Sequence, residues 1–215
     1  QNTALGSGYN ISMEDLEIRG AGSIFGHKQS GHITTVGFQM YCDLLSIEIQ
    51  RTKSEDGVVQ KAPNVTTSFQ LDIGSDYIEN MSLRIDYYYR VGSAISLEQL
   101  NRIEKELIDV FGPIPDKTKN LLLVTSLKIR YKSTPVSQID IQNSVLKIVI
   151  QPFDEEEELV FLSRIGIYKH KTLESVRFKE VSGGLLGIFL NISDSGDVFD
   201  LLFDFVHLFD PIDAA

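Results

Sequence analysis

The pattern of hydrophobic and polar positions divides the chain into two parts joined by a polar stretch. Before this stretch, apolar residues at helical spacing predict an amphipathic helix from about residue 36 to 49. Residues 51–63 are polar and lack periodicity, which is typical of a linker. After them, apolar and polar residues alternate over 65–73 and predict a half-buried strand. We therefore expect one segment at 1–50 and a separate domain at 64–215.

The second domain contains both helical and strand patterns. Apolar residues three and four apart predict helices over the ranges 81–92, 97–111, 117–132, 154–167 and 197–209. Short apolar runs predict further strands over 137–141, 145–151, 173–181 and 185–192, the last two joined by a Ser182-Gly183-Gly184 turn. This order of elements predicts an α/β fold with a mixed or mostly antiparallel sheet and several helices.

Capping residues mark the ends of two of these helices. Ser96 and Gln99 have the spacing of a capping box before the helix at 97–111, and Gly112 follows its last turn. Asp116 is the expected N-cap of the next helix, because its side chain can accept a hydrogen bond from a free backbone N–H.

A glycine-rich loop separates two predicted helices in the first part of the chain. The first helix runs from about Tyr9 to Arg19, and four glycines then follow within twelve residues: Gly20, Gly22, Gly26 and Gly31. The glycines resemble a dinucleotide-binding fingerprint, but their spacing is one residue too long and they follow a helix instead of a strand. We therefore exclude that interpretation.

Charge and composition narrow the possible functions. The chain has a net charge of −10, and the part after Ala62 carries fifteen Lys and Arg against twenty-three Asp and Glu. Because nucleic-acid binding draws its affinity from basic residues, this acidic part does not bind DNA by itself but suits a basic face of a partner. The single cysteine and four scattered histidines lack metal-ligand spacing, so we expect no metal site.

No complete catalytic motif is present in the sequence. Neither a phosphate-binding GxxxxGK[ST] loop nor a nucleophile elbow occurs, so we assign no catalytic residue. The run from Asp154 to Glu158 leaves an alternative open, namely a small acidic α/β enzyme or metal-dependent hydrolase. The other interpretation of this run is a solvated helix start, since acidic residues favour a first helical turn.

One series of residues in the first part has a fixed and specific spacing. It consists of Leu5-Gly6-Ser7-Gly8, Asp15-Leu16-Glu17-Ile18-Arg19-Gly20-Ala21-Gly22, Gly26, Gln29-Ser30-Gly31 and Gly37-Phe38 with Tyr41. This series resembles the TRG motif that the transcription-repair coupling factors (Mfd) share with the helicase RecG. From the residue types alone, an ordinary exposed polar loop is the alternative.

A second resemblance covers the acidic domain. It rests on Asp76-Tyr77-Ile78, Leu83-Arg84-Ile85, Tyr88-Tyr89-Arg90, Glu106-Leu107-Ile108-Asp109 and Phe111-Gly112-Pro113-Ile114-Pro115. These residues are similar to the C-terminal domain of the transcription-repair coupling factors, a domain that RecG lacks.

The family resemblance implies that the chain is a C-terminal piece of an ATP-driven DNA translocase. Residues 1–50 would then form the end of a RecA-like motor domain, with the ATP and Mg sites and the polymerase-binding domain upstream. Arg19 and Gln29 occupy positions that couple ATP hydrolysis to movement on DNA in the family. The remaining residues of this coupling site are Glu17, Gly20, Gly22 and Gly31. Without its motor the chain would have neither cofactor nor activity.

The resemblance also implies a regulatory role for the acidic domain. In the family this domain packs as a lid on the protein's own N-terminal UvrB-like module and hides the surface that binds UvrA. Glu106 and Asp109 match the contact positions, and Val110 replaces the usual Arg. The alternative for these carboxylates is simple solvation on an amphipathic helix. Double-stranded DNA, UvrA and RNA polymerase would be bound through other domains, in the cytoplasm and away from any membrane.

Overall fold

A five-stranded mixed sheet organises the part of the chain that the computed structural model describes, residues 62–142, 145–152, 154–181, 183–193 and 197–210. The strands are β1 (Asn64–Thr67), β2 (Val136–Gln142), β3 (Val145–Ile150), β4 (Leu173–Val181) and β5 (Leu185–Ile192). Their order in the sheet is β1-β2-β3-β5-β4. The β1–β2 pair is parallel and the other three pairs are antiparallel, which confirms the predicted sheet type.

Five α-helices accompany the sheet in the described ranges. They are α1 (Met81–Gly92), α2 (Leu97–Phe111), α3 (Asp116–Arg130), α4 (Glu155–Ile167) and α5 (Val198–Phe205), the last continuing into a 3₁₀ helix at Val206–Phe209. All five were expected from helical periodicity. Helices α1 to α3 form the connection between the parallel strands β1 and β2.

The predicted strand at 65–73 ends early, at Thr67. The Ser68 N–H still donates to the Ile141 carbonyl of β2 at 3.2 Å, but further along the backbone bonds to helices. The Asp72 N–H donates to the carbonyl of Lys117 at 3.2 Å, and the Ile73 N–H donates to the Tyr88 hydroxyl at 2.6 Å. The prediction was wrong here because the alternating residues fit an irregular segment held between α1 and α3 equally well.

The helix starts and ends follow from local hydrogen bonds. Before α2, the Gln99 N–H donates to Ser96 Oγ at 3.2 Å, but the Gln99 side chain accepts from Ile95 N instead of Ser96 N, so the capping box is not reciprocal. Gly112 ends α2 with a φ of 84°, a conformation that favours glycine. The expected N-cap role of Asp116 was wrong. Pro115 is the N-cap without a side-chain bond, and Asp116 lies in the first turn of α3.

The acidic run after residue 153 begins α4. Asp154 accepts a hydrogen bond from the Glu157 N–H at 2.8 Å, and the Glu157 side chain accepts one from the Asp154 N–H at 3.4 Å. This reciprocal arrangement is a capping box. The run therefore serves as a helix start, as one of its two interpretations predicted.

The two faces of the sheet differ in character. Strand register places fully buried aliphatic residues in rows across one face, among them Ile139, Ile148 and Ile188. This face forms a continuous core with residues of the helices, including Leu127 and Leu202. The opposite face carries the row Asp140, Lys147, Phe189 and Arg177, so it is polar and partly exposed. No helix within the described ranges is both long and apolar enough to span a membrane.

Candidate interdomain contact surface

The six predicted coupling residues lie outside the residues that the structure describes. They are Glu17, Arg19, Gly20, Gly22, Gln29 and Gly31. Their coupling role and the boundaries at residues 50 and 63 therefore stay predictions. The three predicted contact residues Glu106, Asp109 and Val110 lie in the last two turns of α2.

Helices α1 and α2 form an antiparallel hairpin with its aromatic residues at one end. The Tyr87 and Phe111 rings meet edge to face with centroids 5.7 Å apart, and the Tyr77 and Phe111 rings do so with centroids 5.8 Å apart. The Tyr77 hydroxyl donates to the carbonyls of Leu107 and Gly112, both at 3.0 Å. These contacts hold the start of α1 and the end of α2 together.

Glu106 is bound within this hairpin. Arg90 Nη1 donates to Glu106 Oε1 at 2.8 Å, Arg90 Nη2 donates to Oε2, and the Tyr87 hydroxyl donates to Oε1 at 2.9 Å. Arg90 also lies over the Tyr87 ring, 4.9 Å from its centroid. The hydrogen bonds from Arg90, and then from Tyr87, lower the pKa of Glu106 from 4.5 to about 2. The same carboxylate raises the pKa of Arg90.

Asp109 differs from Glu106 in its surroundings although both project from one side of α2. Asp109 is exposed, and its carboxylate has no ion pair or side-chain hydrogen bond among the described residues. The structure thus separates two residues that the sequence grouped together. Glu106 joins α2 to α1, whereas Asp109 is available to a basic group from outside the domain.

Exposed apolar side chains accompany Asp109 at this end of the hairpin. Val110 is 61% exposed, and Leu83, one turn before Tyr87 on α1, is 46% exposed. The antiparallel arrangement brings both to the same end of the hairpin. We call Leu83, Asp109 and Val110 the hairpin-end patch. The roles of Tyr87 and Arg90 were not predictable from the sequence, because their contacts with α2 join separate helices.

A buried polar cluster fixes the segment that precedes α1. Asp72 accepts a hydrogen bond from the Tyr88 hydroxyl at 2.6 Å, and its carboxylate lies 3.7 Å from Lys117 Nζ. Lys117 also donates to Asp76 at 2.8 Å, which lowers the pKa of Asp76 and raises that of Lys117. Burial, followed by the bond to Asp72, raises the pKa of Tyr88. This cluster anchors the base of the hairpin and has a structural role.

Two other features bear on the enzyme alternative. No group of three or more His, Cys, Asp or Glu side chains converges on a possible metal position within the described ranges. A groove between α4 and β4 has walls of mixed apolar and polar character. Asp154 and Glu157 are used in the capping box.

Comparison with known proteins agrees with this architecture. The family described as TRCF domain matches residues 67–159. The transcription-repair-coupling factor of Haemophilus influenzae is 36% identical over 141 residues, which is 63% of this chain and 12% of that protein. That of Buchnera aphidicola is 34% identical over 145 residues, 65% of the chain and 18% of the relative. The Escherichia coli protein is 31% identical over 141 residues, which is 63% of this chain and 12% of that protein.

A solved structure has the same fold. It is the crystal structure of the C-terminal domain of transcription-repair coupling factor, with a TM-score of 0.57 and 15% sequence identity. The match covers 69% of this chain and 93% of that one. The described part of the chain is thus an α/β domain of the TRCF type. The chain belongs to the transcription-repair coupling factor family, and it matches less than a fifth of the length of these relatives.

Proposed function

We propose that this acidic domain is a regulatory lid that docks, through the hairpin-end patch, on a basic surface of the N-terminal UvrB-like module of the same protein. The observation that carries the proposal is the exposed Asp109 carboxylate next to the exposed apolar Val110, with the exposed Leu83 at the same end of the hairpin. A carboxylate that remains solvated in the free domain can pair with an incoming cation without breaking an internal bond.

The residues of the patch define what the partner surface must offer. To pair with Asp109, the partner surface must present a basic side chain. To cover Val110 and Leu83, it must also present apolar side chains close to that basic group. Because Val110 stands where the family usually has Arg, this lid lacks one cationic contact and relies more on apolar burial. Glu106 supports the patch from within by holding α1 against α2.

Reversible masking follows from the kind of contact proposed. Charge pairs at a surface rim are screened at physiological salt over about 8 Å, and each contributes little on its own. Such a lid closes over the UvrA-binding surface in the resting protein and opens at a small energetic cost. The acidic balance of the domain adds a long-range attraction to a basic module.

The rest of the proposed activity belongs to the longer protein. A complete coupling factor would use ATP and Mg to move on double-stranded DNA, displace stalled RNA polymerase and bring in UvrA, in the cytoplasm. Residues 1–50 would serve that motor through Arg19 and Gln29. The chain itself would be inactive as an ATPase, and turnover in an ATPase assay would contradict this assignment.

A binding titration tests the lid. The 215-residue chain is mixed with the separately produced N-terminal module at low salt, and affinity is measured by fluorescence anisotropy. Asp109→Lys is expected to weaken binding about tenfold or more, because a repulsive contact replaces an attractive one. Glu98→Lys is the matched control, since Glu98 is an exposed residue at the opposite end of α2. Equal affinity for both variants, or no salt dependence, would refute the docking surface.

A further inference from the structure

Strand β4 forms a free edge of the sheet. It is nine residues long, and within the described ranges it pairs with β5 alone. The outward N–H and C=O groups of an edge strand are able to bind another strand. The opposite edge, β1, has only four residues. Strand β4 is therefore the longer pairing surface of this sheet.

A partly apolar groove runs beside this edge. It lies between α4 and β4 and has a volume of about 600 Å³. Its lining combines polar residues such as Lys169, His170 and Glu174 with the apolar residues Leu162, Tyr168, Leu173, Val176 and Phe178. Phe178 is 45% exposed although it lies in the core-facing row of β4, and Leu162 of α4 is 42% exposed. Exposed apolar side chains that share one groove favour a binding surface over scattered surface residues.

The other face of β4 is basic. Arg177 and Lys179 alternate with the groove residues Val176 and Phe178, because successive side chains of a strand point to opposite faces. Lys147 lies in the same row as Arg177, separated from it by Phe189. Neither Lys147 nor Lys179 forms an ion pair with a described residue. A basic patch thus lies on one side of this edge in a chain of net charge −10.

We propose that β4 binds an extended peptide segment of a partner protein as a sixth strand, with apolar and acidic residues alternating along the peptide. Apolar side chains of the peptide enter the groove beside Phe178, and its acidic side chains lie beside Arg177 and Lys179. The backbone bonds supply affinity, and the two faces of β4 supply the sequence preference.

Full-length antiparallel pairing of β4 with a second copy of this chain is unfavourable. Antiparallel pairing of two β4 strands over their full length centres on Arg177. Arg177 then faces its own equivalent, and Glu174 faces Glu180 of the other copy. Like charges directly opposite each other destabilise strand pairs. Self-pairing in this register is thus opposed by like charges, whereas a peptide of the opposite charge pattern is favoured.

Peptide binding to the full 215-residue chain tests this proposal. The probe is a labelled nine-residue peptide of alternating Glu and Val, compared by anisotropy with a peptide of alternating Lys and Val. The Glu–Val peptide is expected to bind at least tenfold more tightly. N-methylation of alternate residues on its pairing edge is expected to abolish binding, because it removes the backbone donors.

Variants separate the two faces of the strand. The double variant Arg177→Glu with Lys179→Glu should bind the Lys–Val peptide more tightly than the Glu–Val peptide. Phe178→Ser should weaken the binding of both peptides at least fivefold. Lys119→Glu, an exposed charge reversal on α3, is the matched control and should change neither. Hydrogen exchange should show new protection at residues 173–181 when peptide is bound.

Three outcomes would overturn the proposal. They are the absence of binding at millimolar peptide, binding that survives N-methylation on both edges, and a preference that the double charge reversal leaves unchanged. Concentration-dependent dimerisation with protection of β4 in the absence of peptide would also overturn it in favour of a second copy. These results are independent of the lid, whose residues lie on α1 and α2.

Discussion

Arg90 and Glu106, 16 residues apart in the chain, join α1 to α2 through paired N–H to carboxylate bonds. The side chain of Glu106 is 41% exposed, and Tyr87 occupies its inner side by donating a hydrogen bond from the hydroxyl. This pair sits one helical turn from Val110. The geometry of the hairpin-end patch thus depends on a carboxylate that is already bound within the hairpin.

Glu106→Gln is expected to destabilise the chain by about 1 kcal/mol, because the pair is charge-assisted but partly open to solvent. Urea denaturation followed by circular dichroism measures the change. Glu98→Gln is the control, since Glu98 pairs with Arg102 on the fully exposed side of the same helix. Glu98→Gln should change the free energy of unfolding by no more than about 0.5 kcal/mol. An equal effect of the two substitutions would contradict the special role of Glu106.

The free energy of unfolding of the domain should decrease as pH falls, and part of this decrease should come from Glu106. The folded pKa of this carboxyl is about 2, below its ordinary 4.5. A depressed pKa contributes stability that is complete above the unfolded pKa and is lost as pH falls toward the folded pKa. Denaturation midpoints measured from pH 6 to pH 2 should fall less steeply for Glu106→Gln than for the unchanged chain. Parallel curves would show that the carboxylate is not linked to folding.

Tyr88→Phe is expected to lower the free energy of unfolding by about 1–3 kcal/mol, because it removes the acceptor of the Ile73 N–H and the hydroxyl donor to the Asp72 carboxylate, which keeps only Lys117 among the described residues. Both bonds of the hydroxyl measure 2.6 Å. Thermal and urea unfolding measure the loss, and hydrogen exchange at Ile73 reports it locally. A variant with unchanged stability and unchanged protection at Ile73 would show that water replaces the hydroxyl at no cost.

Gly112→Ala is expected to destabilise by about 1–3 kcal/mol from backbone strain alone. The φ of Gly112 is 84°, and no heavy atom lies within 4 Å of the position that the Cβ of an alanine would occupy. Gly166 in α4 is the matched control, because its surroundings are equally open and its φ is not positive. Gly166→Ala should stabilise the chain by up to about 1 kcal/mol. Denaturation of the two variants side by side separates conformational strain from added bulk.

Local patterns accounted for most elements of the domain. The helical spacing of Leu100, Ile103 and Leu107 predicted α2, and Gly112 predicted its end. The alternation over 65–73 failed because the partners of Asp72 and Ile73, namely Lys117 and Tyr88, come later in the chain. Local spacing holds no information on such contacts.

The candidate site shows the same division. Residue types and family resemblance led to Glu106, Asp109 and Val110, and the structure places all three in the last turns of α2. Sequence spacing did not distinguish their roles, because Arg90 and Tyr87 come from another helix. The free edge of β4 was also not predictable, because the order of strands in a sheet depends on long-range packing.

The parallel pairing of β1 with β2 has a consequence for the order of folding. Thr66 and Asp140 are partners 74 residues apart, with three helices between them. Closing a loop of that length costs conformational entropy before the β1–β2 contacts can form. The β4–β5 and β2–β3 hairpins join strands that are close in sequence, so their closure costs less entropy. The four residues of β1 should therefore join the sheet last and leave it first. The domain is therefore entered through the strand that is expected to pair last.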